Sequence, residues 1–399
     1  MMKLSNKLQK LPTQFFASLV QKVNAAIAEG RDVINLGQGN PDRPTPPHIV
    51  SALQLAAEDP QTHKYSPFQG IQQLKEAAAN FYKREYGVDI DPNREVAILG
   101  GSKIGLVELP IAVLNPGDYM LLPDPGYPDY LSGVVLGDVH YDTLPLTEDN
   151  DFLPDYESLS DEIKQRAKLM YLNYPNNPTG ATATLEFFQQ TVDFAKQNDV
   201  AVVHDFAYGA LGFDGERPPS FLQIEGAKEV GVELYTLSKT YNMAGWRVGF
   251  AVGNADIIAA LNLIQDHLFC SIFPAIQHAA IAALNEDQHC VEEQLAIYER
   301  RRNVFIEEAH RIGWDVVAPK GSFFAWLKVP EGYTSEQFAD LLLEKANVAV
   351  AAGNGFGEYG EGYIRVGLLV DESRLKEAIS RIEALGLFKG EPISITKSN

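Results

Sequence analysis

Residues 235–250 read Tyr-Thr-Leu-Ser-Lys-Thr-Tyr-Asn-Met-Ala-Gly-Trp-Arg-Val-Gly-Phe. An apolar run from Val232 to Leu237 leads into a single lysine, Lys239, set among Thr236, Ser238 and Thr240, and Arg247 follows eight residues later. A lysine at the end of a buried strand loses hydration, so its amine deprotonates more easily and becomes a nucleophile toward carbonyls. Hydroxyls and a guanidinium suit a phosphate, because arginine's planar fork holds two phosphate oxygens at once. Lysine plus phosphate cradle suggests a Schiff base to a phosphorylated aldehyde, pyridoxal phosphate. The stretch alone also fits a solvated strand-end lysine and a surface arginine, so the neighbouring blocks decide.

Upstream, short and uniformly apolar runs occupy residues 96–99, 119–122, 168–172, 200–204, 233–237 and 248–252. Amphipathic segments such as residues 185–196 lie between several of them. Buried strands alternating with helices predict a mostly parallel sheet covered on both faces. Ligands gather at the carboxyl ends of such strands, so the residues standing there are the informative ones.

Those ends carry distinct chemistry. The first is followed by Gly100-Gly101-Ser102-Lys103 opening a helix, where backbone amides hold phosphate well; it lacks the Gly-Lys-Ser/Thr ending of a Walker loop. The second is followed by Pro123-Asp124-Pro125-Gly126-Tyr127-Pro128, whose tyrosine suits stacking on an aromatic ring. Next comes Asn173-Tyr174-Pro175-Asn176-Asn177-Pro178-Thr179-Gly180, a rigid turn that also reads as a capped loop. Asp205, in His204-Asp205-Phe206-Ala207-Tyr208, ends the fourth run, where an acid is costly unless it meets a positive partner. A protonated pyridine nitrogen is such a partner, although an isolated aspartate here also reads as a helix cap. Lys239 ends the fifth.

Phosphate turn, aromatic, amide, acid and lysine, in this order, resemble the fold-type I aminotransferases of class I/II. The lysine block is similar to that family's signature of small, apolar, small, Lys, with Arg at the eighth position, although Thr236 stands where Ser or Gly is usual. The resemblance implies that Lys239 bonds the cofactor, pyridoxal 5′-phosphate, and that Asp205 pairs with its ring nitrogen. It puts Asn177 and Tyr208 at the phenolic oxygen and Tyr127 on the ring face. Gly101, Ser102, Lys103, Ser238 and Arg247 would hold the phosphate. The catalytic set it implies is Lys239, Asp205 and Tyr208.

Three further blocks join by resemblance. Val33 to Asp42 reads as a strand entering a glycine and proline turn, and the family's similar Gly-x-Pro-x block implies that Gly39 sits beside a substrate carboxylate. In Tyr65-Ser66-Pro67-Phe68-Gln69-Gly70, Tyr65 alone is a turn residue; the family's Tyr-x-x-x-x-Gly implies that it reaches the phosphate of a second subunit, hence a homodimer with shared sites. Ile364-Arg365-Val366 sets one arginine among apolar neighbours, which fits a structural salt bridge as well as a ligand site. The family's Ile-Arg-x block implies that Arg365, with Asn177 and Gly39, binds the α-carboxylate.

Outside these blocks the pattern organises the chain. An amphipathic helix over 16–28 follows a basic lead-in, with Phe15 and Phe16 either core or a lid. After residue 254 long helical segments cover 255–277 and 291–312. A smaller α+β part then reads as strands at 314–318, 321–327 and 348–352 with a helix over 335–345. Gly355-Phe-Gly357-Glu-Tyr-Gly360 matches the dinucleotide pattern Gly-x-Gly-x-x-Gly, but a strand over 363–368 follows where a helix is required, so it reads as a flexible loop. The expected fold is therefore α/β: a three-layer, mostly parallel sheet over 46–285, plus a smaller α+β domain from 1–45 and 286–399.

Composition narrows the partners. With 53 acidic against 33 basic side chains over 399 residues, the formal charge of −20 argues against nucleic acid or an anionic membrane. Two cysteines, Cys270 and Cys290, are too few for a disulfide framework and lack metal-ligand spacing, so they read as buried thiols. Pro12 and Gln14 interrupt the N-terminal apolar pattern, no run reaches membrane length, and a cytoplasmic protein is expected.

The expected activity is amino transfer between an L-amino acid and a 2-oxo acid in two half-reactions. No second arginine stands out for a distal carboxylate, and the apolar segment 266–274 with Phe15, Phe16 and Tyr65 favours an apolar or thioether side chain. The chain also resembles the aminotransferases of methionine salvage, which act on 4-methylthio-2-oxobutanoate. The alternatives are a carbon–sulfur β-lyase, an LL-diaminopimelate or aspartate-type aminotransferase, and a non-catalytic binding protein on the same fold.

Overall fold

The computed structural model describes residues 4–12, 14–269 and 271–388. Cys270 and the polar tail after Gly390 lie outside them. The described residues form twelve strands: β1 (Ile34–Asn35), β2 (Val96–Leu99), β3 (Tyr119–Asp124), β4 (His140–Pro145), β5 (Ala167–Leu172), β6 (Ala201–Asp205), β7 (Gly231–Thr236), β8 (Gly249–Gly253), β9 (Phe324–Lys328), β10 (Val348–Ala349), β11 (Ala351–Ala352) and β12 (Tyr363–Gly367).

Seven of them form one sheet in the order β2-β8-β7-β6-β5-β3-β4. Strands β4, β3, β5, β6 and β7 pair in parallel, and β8 runs antiparallel to both β7 and β2. Alternation along each strand builds two cores. Ile98, Met170, Val202, Tyr235 and Phe250 pack under the helices Gln72–Tyr86, Leu185–Asn198 and Pro274–Asn285. Leu99, Tyr171, Val203, Leu234 and Ala251 face the helices Ser102–Val113 and Ala255–Leu268. The fold is thus a three-layer α/β sandwich. Strand β4 was not expected from the sequence: it is the sheet edge, and its His140, Tyr141 and Asp142 do not make an apolar run.

The remaining strands make two small sheets. Strand β1 pairs in parallel with β10, joining the N-terminal and C-terminal parts of the chain. Strands β11, β12 and β9 form an antiparallel sheet in which Arg365 pairs with Ala351 on one side and Trp326 on the other. The expected strand over 348–352 is therefore two short strands in different sheets. The expected strand over 314–318 is an irregular segment, in which Trp314 and Val316 are nevertheless buried. The expected helix over 255–277 stops at Leu268 and restarts at Pro274, where a proline at the first turn lacks only an N–H that would be unpaired anyway. No helix among the described residues is long and apolar enough to cross a membrane.

Candidate active site

Lys239 stands in the first turn after β7. Thr236 ends the strand and its hydroxyl accepts the Ser238 N–H (3.2 Å), which starts the turn Leu237–Thr240. Buried Gln294, from the helix His289–Arg311, donates to the Lys239 carbonyl (2.6 Å) and fixes that turn from behind. The Lys239 ammonium nitrogen donates to the Gly39 carbonyl at 2.7 Å. The turn carrying Gly39 is held in place by Arg301, whose guanidinium grips the Asp42 carboxylate at 2.9 and 2.7 Å. Burial, aided by the positive Arg365 and Arg247 and opposed by Asp205, lowers the Lys239 amine to about 8.

Asp205 ends β6, buried at the carboxyl edge of the sheet. Its Oδ2 accepts the Tyr130 hydroxyl at 2.9 Å, whereas its Oδ1 is buried with no hydrogen-bond partner. Burial raises its carboxyl to about 6, against the Tyr130 hydrogen bond and the charges of His204 and Lys239. An orphaned carboxylate oxygen lining a cavity needs a donor, and a protonated ring nitrogen is one. Asn173 ties the ends of β5 and β6 together: its amide donates to the Asp205 carbonyl (2.7 Å) and its Oδ1 accepts the Asn177 N–H (2.8 Å).

The opposite end of the cavity is built for an anion. The helix Ser102–Val113 starts there with no side-chain cap on its first amides. Gly101, at φ 88°, precedes it, and a Cβ there would fall 2.2 Å from Arg247 Nη2, so only glycine lets the guanidinium lie against this turn. Ser238 closes the cradle. Arg247 itself adopts φ 55°, a conformation costly for a non-glycine residue and common at functional sites. The Lys103 ammonium is already paired with Asp129 at 2.8 Å.

Arg365 lies on the third side, 1% exposed. Its Nη1 donates to Asn177 Oδ1 (2.8 Å) and its Nη2 to the Gly37 carbonyl (3.0 Å), while its Nε is buried without a partner. No carboxylate pairs with it among the described residues. Instead the rings of Phe324, Phe356 and Phe16 surround it, with centroids 3.9, 4.8 and 5.0 Å from the guanidinium carbon. A buried cation held by aromatic faces and carbonyls alone is set to take an anion.

These groups line one cavity of about 380 Å³. Gly39, Ser102, Lys103, Tyr127, Asn177 and Asp205 contribute to it from one set of blocks, and Tyr208, Ser238, Lys239, Arg247 and Arg365 from the rest. Two expected site residues do not line it. Gly101 acts from behind through Arg247, and Tyr65 is 91% exposed at the surface. Tyr130, Asn173, Phe324 and Asp129 were not singled out from the sequence. Tyr130 and Asn173 lay in or beside quoted turns, but nothing in a linear reading says which hydroxyl or amide meets Asp205.

The profile of the family Aminotransferase class I and II matches residues 31–382. The chain belongs to the class I and II aminotransferases. It is 68% identical over 98% of both chains to the L-glutamine–4-(methylsulfanyl)-2-oxobutanoate aminotransferase of Bacillus subtilis. It is 44% identical to an LL-diaminopimelate aminotransferase of Halothermothrix orenii, over 96% of this chain and 98% of that one. Among solved structures, apo-BacF from Bacillus subtilis superposes with a TM-score of 0.95 at 48% identity, covering 98% of this chain and all of that one. This aminotransferase is therefore a pyridoxal-phosphate enzyme, and the orphaned Asp205 oxygen and the Gly101–Arg247 cradle fit that cofactor at its two ends.

The lowered Lys239 amine has a measurable consequence. Below about pH 8 Lys239 is an ammonium and cannot attack an aldehyde; above it the free amine predominates. The rate at which apo-protein captures pyridoxal phosphate, followed by absorbance, is expected to rise toward pH 8 and then level off. A rate still climbing toward 10.5, the ordinary lysine value, would show that burial does not tune this amine.

Proposed function

We propose that this aminotransferase converts 4-(methylsulfanyl)-2-oxobutanoate to methionine, with glutamine as amino donor. The observation that carries the reading is the 68% identity, over nearly the full length of both chains, to the Bacillus subtilis enzyme named for those substrates. The cavity supports it. Phe16 and Phe324 give it apolar walls, and among the described residues the arginines lining it are Arg247, in the phosphate cradle, and Arg365. Among the described residues no further guanidinium lines the cavity to take a distal acid.

In this reading Arg365 grips the substrate α-carboxylate bidentately, with Asn177 and Gly39 beside it. Asp205 would keep the cofactor ring nitrogen protonated, while Asn177 and Tyr208 would serve the phenolic oxygen and Tyr127 the ring face. Ser102, Ser238 and Arg247 would hold the phosphate, with Gly101 leaving room for Arg247 behind it and the Asp129-paired Lys103 beside it. Tyr65 of a second copy, which its exposure leaves free to reach outward, would join them. Pyridoxal phosphate, when bound, supplies the electron sink that stabilises negative charge at the substrate Cα. Lys239 would hold the cofactor and, as a free amine, would move the proton at the substrate Cα. The working unit is a cytoplasmic homodimer, each copy dividing into a cofactor lobe over 46–285 and a smaller lobe from 1–45 and 286–399.

Adding single amino acids to the yellow holoenzyme, without an oxo acid, tests this. Methionine and glutamine are expected to bleach it, and 4-(methylsulfanyl)-2-oxobutanoate to restore the colour. Rapid bleaching by LL-diaminopimelate and not by methionine would favour the second reading, which rests on the 44% identical relative. A persistent yellow form releasing pyruvate from cystathionine would indicate a carbon–sulfur lyase.

A further inference from the structure

The glycine-rich stretch Gly355–Gly360 does bind an anion, but the anion belongs to the chain itself. Asp124, the last residue of β3 in the large sheet, accepts the N–H groups of Glu358 (3.0 Å, on Oδ2) and Tyr359 (3.0 Å, on Oδ1). Successive amides converging on a carboxylate form the same kind of nest that holds phosphates elsewhere. Gly357, at φ 138°, is needed for that approach, because a Cβ there would fall 2.0 Å from Asp124 Oδ1. A third bond runs beside them, from the Gly126 N–H to the Phe356 carbonyl (2.8 Å). Asp124 is buried, and these two amides are the donors its carboxylate meets among the described residues.

The clamped loop presents Phe356. Its ring lies 4.8 Å from the Arg365 guanidinium and 5.9 Å from Phe16, which lines the cavity. Phe16 in turn lies 5.0 Å from the same guanidinium. One carboxylate at the end of a large-sheet strand therefore fixes the small-sheet loop that backs the arginine.

We propose that Asp124 is a positioning residue, which clamps the loop 353–360 onto the end of β3 and so sets Phe356, Phe16 and Arg365 for the substrate carboxylate. The inference rests on the reading of Arg365 given above. A loosened backing costs alignment of the α-carboxylate more than it costs cofactor binding, since Asp205, Lys239 and the phosphate cradle stand on other strands and Tyr127 alone shares the turn after Asp124.

The test uses the full-length holoenzyme and the variants Asp124→Ala, Asp124→Asn, Gly357→Ala and the double variant Asp124→Ala/Gly357→Ala. Amide hydrogen exchange at Glu358 and Tyr359 and the KM and kcat of both half-reactions are measured. Both alanine variants are expected to speed exchange at these amides and to raise KM about tenfold for amino and oxo acid, with kcat nearly kept. The double variant should be no worse than either single one, because both remove the same clamp. Asp124→Asn, which keeps one acceptor oxygen, should lie between. Unchanged exchange, a KM that does not move when exchange does, or fully additive KM effects would each overturn the proposal. A wild-type enzyme inactive with methionine would defeat the functional reading alone, because KM is then read with whichever amino acid bleaches the holoenzyme.

Discussion

Replacing Lys239 by alanine is expected to lower turnover by at least about 10⁴-fold, measured as single-turnover bleaching by a saturating amino acid. Two roles vanish with one amine: the covalent anchor for the cofactor and the carrier of the Cα proton. The loss falls on chemistry and not on the pocket. Asp205, Arg247, Ser102 and Ser238 remain, so the variant should still hold cofactor through its two ends. Lys239→Arg separates charge from proton transfer. It keeps a cation near the Gly39 carbonyl, which now accepts the lysine at 2.7 Å. An arginine, however, does not give up its proton at working pH. Arginine should therefore be as inactive as alanine, and substantial turnover in either variant would remove Lys239 from the proton path. A binding protein built on this fold would keep its function in both.

The strand ends were legible in the sequence because each is a local event. An apolar run stops and one polar residue follows, as at Asp205 and Lys239, and the buried strands beneath them need no more than uniform apolarity. Strand β4 was not legible, because an edge strand is half solvated and its His140, Tyr141 and Asp142 carry no run. The break between Leu268 and Pro274 and the irregular path through Trp314 and Val316 were missed for a related reason. Burial of a residue does not dictate whether its backbone is helix, strand or neither. At the site, Arg365 could be named, but its setting could not. The three phenylalanines around it come from positions 16, 324 and 356, far apart in the chain and unremarkable one by one. The same holds for the Gly357 loop, whose partner Asp124 lies more than two hundred residues upstream. Local chemistry is written in consecutive residues, whereas the partner of a buried polar atom is a property of the tertiary fold.

Glu233→Leu is expected to destabilise the protein by roughly 3–5 kcal/mol, although Glu233 lines no part of the cavity. Glu233 is fully buried in the middle of β7 and faces the helical layer on the side away from Asp205. Four donors converge on it: the Tyr82 hydroxyl (2.7 Å), the Ser220 hydroxyl (2.7 Å), the Phe221 N–H (2.9 Å) and His204 Nδ1 (2.7 Å). Leucine of similar volume would fill the space but remove the shared acceptor; with His204 able to turn its proton toward the Tyr174 carbonyl, the remaining donors sit near the low end of roughly 1–3 kcal/mol for each one left unpaired. Length alone does not set such a value. The Lys22–Asp340 pair is also 2.7 Å long, but its two side chains are 42% and 43% exposed, and its loss should cost under about 1 kcal/mol. Thermal unfolding of Glu233→Leu and of Asp340→Ala, which removes the exposed pair, should therefore differ by several degrees, and equal midpoints would contradict the assignment of Glu233 as the acceptor of this network. Glu233→Gln keeps one acceptor oxygen and should fall between them. The network also bears on the site, because His204 immediately precedes Asp205 and its other ring nitrogen lies 3.0 Å from the Tyr174 carbonyl. The ends of β5 and β6, next to Asn173 and Asp205, are thus bound to the middle of β7, the strand that leads to Lys239. Glu233→Leu should accordingly release cofactor at a temperature below its own unfolding midpoint, whereas loss of the Lys22–Asp340 pair should not.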